Sequence, residues 1–277
     1  MQWFAYLIWS ALGLCLAAAV LSYLYYRRFN TTDDSSGDVF SPVDDNDVNL
    51  IVDEKRWQQL LVHTFSSSAG DDGLPVAAPQ RMVWANKYLG IEKQWLAGQD
   101  VAMYPCLSFH NAVGDCVDFI QQLQQQTPSI RLYAVKPAAI ELDETVYEAS
   151  VVLCFATPVE YAGKTGWRYW PINVYWEWGY LPEQMQCRQI LYTAIQAGCE
   201  VVGIELVLDD IYELLEGICI PQSLYDMSPS PAVKLPAELL WNPSPLADAG
   251  TPVVGQCDST TLGAAQLKEL IQQAGWC

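Results

Sequence analysis

Residues 181–208 read LPEQMQCRQILYTAIQAGCEVVGIELVL, and this stretch decides the fold class. Pro182 suits the first turn of a helix, where a missing N–H costs nothing, and Gly198 suits its stop. The run EVVGIELVL over residues 200–208 then reads as a buried strand, being short, apolar and rich in β-branched residues. A helix thus leads directly into a strand.

Working outward from here, YEASVVLCFA (147–156) is a second continuous apolar run, suited to a central strand. RLYAVK (131–136) alternates and stops at Pro137. WRYWPINVYWEWGY (167–180) reads as a strand or hairpin arm, with Pro171 placing its start at a sheet edge.

Helical spacing of apolar residues predicts helices over 53–65 (Trp57, Leu60, Leu61, Phe65) and 81–98 (Trp84, Tyr88, Ile91, Trp95). A further amphipathic helix runs from a Ser108 cap to Gln126, with Phe109, Val113, Cys116, Val117 and Ile120 on its inner face. Residues 66–80 read as a loop. Asp209 is expected to cap a short helix ending at Gly217. Residues 228–252 carry several prolines and read as surface chain. A short strand over 252–257 and a last helix capped by Asp258 follow. The expected fold is one α+β domain, a mostly antiparallel sheet covered by helices, over residues 51–277.

The N-terminus has a different character. Residues 1–26 carry no charged side chain, and residues 5–26, AYLIWSALGLCLAAAVLSYLYY, are long enough at about 1.5 Å per residue to cross a hydrocarbon core of about 30 Å. Trp3 and Trp9 at one end and Tyr25 and Tyr26 at the other suit the two interfaces, and Arg27 and Arg28 stop the segment. We read residues 1–28 as a single-pass transmembrane helix. A cleaved signal peptide would want a basic leader and a shorter apolar core. Arg27 and Arg28 favour an outside N-terminus, with the soluble domain on the cytoplasmic (or matrix or stromal) side. Gly13 and Ala17, with Ala11, Cys15 and Ala19, would let a second such helix approach, so self-association in the membrane is open. Residues 29–50 hold six aspartates and form a self-repelling acidic tether.

A formal charge of −18 argues against nucleic acid, whose phosphates need clustered lysine and arginine, and is compatible with a basic protein partner. The cysteines are scattered, with no CxxC pair, and Cys154 sits within an apolar run as a small buried hydrophobe. No pattern for a metal or cofactor is present.

Three groups of residues carry potential chemistry. Cys106, His110, Asp115 and Cys116 place a thiol and an imidazole near a helix start, as a thiol enzyme would require. Trp167, Trp170, Tyr175, Trp176, Glu177 and Trp178 could form a stacking surface for protein or glycan, with Glu177 as an acid beside it. On a strand Trp176 and Trp178 share one face with Val174, and Tyr175 and Glu177 share the other. Asp209, Glu213 and Glu216 share a helical face next to Asp210, as a solvated surface or a cation site. The expected function is that of a non-enzymatic, membrane-tethered interaction or assembly subunit. An extracytoplasmic glycan-binding or glycan-cleaving domain is the alternative, and a thiol enzyme a third.

Overall fold

The computed structural model describes residues 51–65, 74–110, 112–138, 140, 142, 149–225 and 262–276. The expected transmembrane helix, the acidic tether and the strand over 252–257 lie outside the described residues. Among the described residues no helix is long and apolar enough to cross a membrane.

The described chain is α+β with a mixed sheet. Helix α1 (Glu54–Phe65) and helix α2 (Ala78–Trp84) come first, α2 running into a π-helical turn at Ala85–Leu89. After α3 (Lys93–Leu96) and α4 (Val113–Gln126) come β1 (Arg131–Pro137), β2 (Ser150–Tyr161), β3 (Lys164–Pro171) and the short β4 (Trp176–Glu177). Helix α5 (Leu181–Gln196) then leads into β5 (Glu200–Leu206), followed by α6 (Leu208–Leu215), α7 (Gln222–Tyr225) and α8 (Ala264–Gln273).

Strand order is β3-β2-β1-β5, with β4 also pairing β2. The pairings β1–β2, β2–β3 and β2–β4 are antiparallel, whereas β1 and β5 run parallel. The sheet is therefore mixed, a finer arrangement than the mostly antiparallel one expected. Since β3 stops opposite Cys154 while β4 sits opposite Ser150 and Val151, β4 continues the same edge after the detour through Ile172–Val174.

Alternation along the strands creates two cores, one on each face of the sheet. Tyr133, Val135, Val152, Cys154, Ala156 and Tyr169 point to the face covered by α1, α2, α3, α6 and α7. Leu132, Ala134, Val151, Leu153, Phe155 and Trp170 point to the face covered by α4, α5 and α8. Helix α4 fits this role because Val113, Cys116, Val117, Ile120 and Leu123 recur at helical spacing and are all buried. Each large apolar side chain so buried contributes about 1.5–3 kcal/mol.

Several boundaries depart from the sequence reading. The helix expected over 81–98 is broken at Gly90, whose φ of 71° closes the π-helical turn. A side chain at Gly90 would also meet the guanidinium of the buried Arg168. Ser108 does not cap α4, which begins five residues later after Ala112 with no side-chain cap. Likewise Asp209 lies in the first turn of α6, whose N-cap is Val207, and Gly263 rather than Asp258 precedes α8. Strand β5 is expected to be buried because its apolar content resembles that of a central strand, but it is the sheet's outer strand on the β1 side and only partly covered.

Ion pairs tie β5 to β1 at both ends. Arg131 pairs with Glu200 at 2.7 Å and Lys136 with Glu205 at 3.0 Å, each across a registered pair of residues. A slip of one residue would move both partners to opposite faces, so these pairs fix the register.

Candidate functional site

Exposed apolar side chains occur at several places on the described chain, and three of them, Val207, Leu208 and Tyr212, follow one another where β5 ends beside β1. Residues just past two parallel strands leave the sheet together, and here the chain turns at Pro137 on one side and at Val207 on the other. Ala138 N–H donates to the Leu206 carbonyl at 2.8 Å, holding the two exits side by side. Lys136 is buried between them. Its Nζ donates to the Ile140 carbonyl at 3.1 Å and pairs with Glu205, so this charge is satisfied within the fold.

Between the exits lies an open cavity of about 280 Å³, lined by Pro137, Ala138, Ile140, Leu206, Val207, Leu208 and Asp209. Its walls are apolar apart from Asp209. Next to it Val207 is 61 % exposed, Leu208 43 % and Tyr212 52 %. Helix α6 explains this arrangement. Ile211, Leu214 and Leu215 face the core, while Leu208 and Tyr212, four residues apart, form an apolar stripe on the outside. Asp209, Glu213 and Glu216 form a second exposed stripe along its flank. The result is an apolar surface with a shallow pocket and an acidic border.

The aromatic segment is placed mainly in the core. Trp170, Trp176 and Trp178 are buried, and Val174, Trp176 and Trp178 do share one face. The indole Nε1 of Trp176 donates to the buried Gln186 Oε1 at 2.9 Å. Trp178 lies under the Arg188 guanidinium. These three side chains are consequently removed from any stacking surface: their area is spent against α4 and α5. Trp167 and Tyr175 remain partly exposed, Trp167 under the Arg131 guanidinium at 4.5 Å and Tyr175 against the opposite core. Glu177 is half-buried, and its backbone N–H donates to Glu183 Oε2.

The members of the thiol constellation differ in their exposure. Cys106 is half-buried against α6, with its Sγ 3.5 Å from the Leu215 carbonyl, and burial pushes its thiol up to about 11. Cys116 is sealed in the core, where burial raises its thiol further. His110 and Asp115 are exposed. A thiol held protonated at neutral pH is a poor nucleophile.

A different thiol–imidazole pair is present, which the sequence did not suggest because its members are 156 residues apart. Cys219 Sγ lies 4.0 Å from Nε2 of His63, on the buried side of α1. Burial holds His63 below its usual range. Burial, then the carboxylates of Glu213 and Asp210, push Cys219 up to about 11. Both groups are therefore neutral near pH 7, the opposite of a thiolate–imidazolium pair.

A second open cavity, about 310 Å³, is lined by Glu92, Gln94, Tyr104, Cys106, Asn173 and Glu216 among others. Glu216 so belongs both to the acidic stripe of α6 and to this cavity. Among the described residues no group of three or more His, Cys, Asp or Glu side chains is placed to hold a metal ion. The six described cysteines, Cys106, Cys116, Cys154, Cys187, Cys199 and Cys219, are unpaired with one another. Comparison with protein-family models, curated proteins and solved structures finds no match.

Proposed function

We propose that this chain is a non-enzymatic interaction or assembly subunit, held at a membrane by residues 1–28, whose acidic domain binds a protein partner. The observation that carries this reading is the apolar surface at the ends of β1 and β5. Val207, Leu208 and Tyr212 stand exposed beside a pocket, although the same fold buries nearly every other large side chain of α6. A cluster of exposed apolar side chains rimmed by polar residues is one of the features of docking surfaces, and this one also adjoins a cavity. Burial holds the thiol of Cys219 and the imidazole of His63 in their neutral forms, which favours a reading of binding over catalysis. Residues 29–50 would let the domain sample a volume near the bilayer, raising its effective concentration toward a partner in the same membrane.

Purification of the full chain from its own membranes in mild detergent tests this. The expected particle is larger than one chain in its detergent shell and contains a second protein in fixed ratio. A lone monomer would overturn the reading. Protease protection in sealed vesicles tests the orientation: the domain is expected on the cytoplasmic side, and cleavage from outside would reverse it.

A further inference from the structure

Resting on that reading, we infer that the partner presents a segment with an apolar side chain flanked by lysine or arginine, and that it docks on α6 and the cavity beside it. The apolar anchor enters the space between Pro137, Ala138, Ile140 and Leu206 and covers Leu208 and Tyr212. Its basic flanks lie along Asp209, Glu213 and Glu216.

Three features lead to this occupant. The cavity is open beyond the carboxyl ends of two parallel strands, a position where ligands bind in open α/β sheets. Val207 and Leu208 of its lining are themselves exposed, and the exposed Tyr212 lies one helical turn beyond Leu208. Among the described residues every charge on α6 is negative: Asp209 lines the cavity, Asp210 follows it, Glu213 is exposed one turn on, and Glu216 stands just past the helix. The nearby cation, Lys136, is already committed to Glu205 and the Ile140 carbonyl. A second copy of the chain would bring its own acidic stripe to this border and its own −18 charge, so like charges would oppose self-pairing here. A basic, apolar segment complements both the shape and the field.

The test uses the full chain in detergent and two short synthetic peptides. In one, leucine and valine alternate with serine between pairs of lysines; in the other, glutamates replace the lysines. The lysine peptide is expected to bind saturably, about tenfold or more tighter than its acidic twin. Binding should weaken as salt rises from about 0.05 to 0.5 M, where screening shortens to a few ångströms. Hydrogen exchange should slow in peptides covering residues 206–213. Tyr212→Ser and Glu213→Lys, both at exposed positions, should each weaken binding about tenfold while the circular dichroism stays unchanged. Should Glu213→Lys perturb the helix, Ala138→Phe, which fills the mouth of the cavity from outside, supplies the same test.

Equal binding of the two peptides, no binding of either, or binding unaffected by these variants would overturn the inference. So would concentration-dependent dimerisation abolished by Tyr212→Ser, which would make a second copy the occupant. A partner that still co-purifies with Tyr212→Ser and Glu213→Lys would sink this surface and leave the interaction reading intact. Absence of any co-purifying protein would sink both.

Discussion

Trp176 and Gln186 offer a strict test of how the β4–α5 corner is held. Both side chains are buried, Trp176 fully, and the indole N–H donates to the amide oxygen at 2.9 Å. Trp176→Phe keeps an aromatic ring but removes the donor and part of the volume. A buried acceptor left without its partner costs about 1–3 kcal/mol. A residual void of about 40 Å³ adds about 1 kcal/mol at about 24 cal/mol per Å³. The single variant should therefore lose about 2–4 kcal/mol. Gln186→Leu leaves the indole N–H unpaired and should lose about 1–3 kcal/mol. In the double variant neither orphan remains. Its loss should fall short of the sum of the single losses by about 1–2 kcal/mol. Guanidinium unfolding of all four proteins, followed by far-UV circular dichroism, gives the cycle, and equal slopes validate the comparison. Strict additivity, within about 0.3 kcal/mol, would refute the claim that this hydrogen bond rather than packing alone secures the corner.

Other outcomes follow from close approaches and from titration. At Gly166 an added Cβ would strike the backbone carbonyl of Thr64 and the ring of Phe65, so Gly166→Ala should force α1 off β3 and cost about 1–3 kcal/mol or more in the same assay. Gly217 combines a φ of 66° with Tyr104 O and Cys106 Sγ lying 2.5 and 2.7 Å from any added Cβ. Gly217→Ala should therefore destabilise by about 2–4 kcal/mol and make Cys106 more reactive toward maleimides. Because Cys106 and Cys219 are raised from 9.0 to about 11 by folding, their contribution to stability is complete below about pH 9 and is lost as pH rises toward about 11. Urea midpoints measured between pH 8 and 11 should fall, and Cys106→Ser should flatten the decline. A midpoint constant across that range would contradict the burial of these thiols. Near pH 7 both should react with iodoacetamide far more slowly in the folded than in the unfolded chain.

Much of the architecture was legible because local signals agree with the fold. Pro182 and Gly198 bracket α5, and the unbroken run from Ser150 places β2 in the middle of the sheet. Errors arose where one pattern serves two environments. The periodicity of Trp84, Tyr88, Ile91 and Trp95 runs straight across Gly90, although a left-handed residue there breaks the helix. Val201, Val202 and Ile204 look the same in an outer strand as in a central one. The tryptophans of 167–178 looked like a surface because both faces of that segment are aromatic; the sheet has a core on each side, and it buries Trp170, Trp176 and Trp178 while Trp167 and Tyr175 stay partly exposed. The cavity and the exposed apolar residues beside it could not be read at all. The cavity joins Pro137, Ala138 and Ile140 to Leu206, Val207, Leu208 and Asp209, a proximity created by the parallel pairing of β1 with β5, and no periodicity in either stretch announces it.

That parallel pairing also has a consequence in time. Strands β1, β2 and β3 are neighbours in sequence and can assemble as a meander soon after they leave the ribosome. Arg131 and Glu200 are 69 residues apart. At about 5–20 residues per second, translation takes about 3–14 s to deliver Glu200 after Arg131. During that interval the side of β1 that β5 will occupy offers bare N–H and carbonyl groups to any passing strand. A nascent chain stalled before residue 200 should therefore cling to chaperones or aggregate, whereas one stalled after the whole of β5 has cleared the exit tunnel should not.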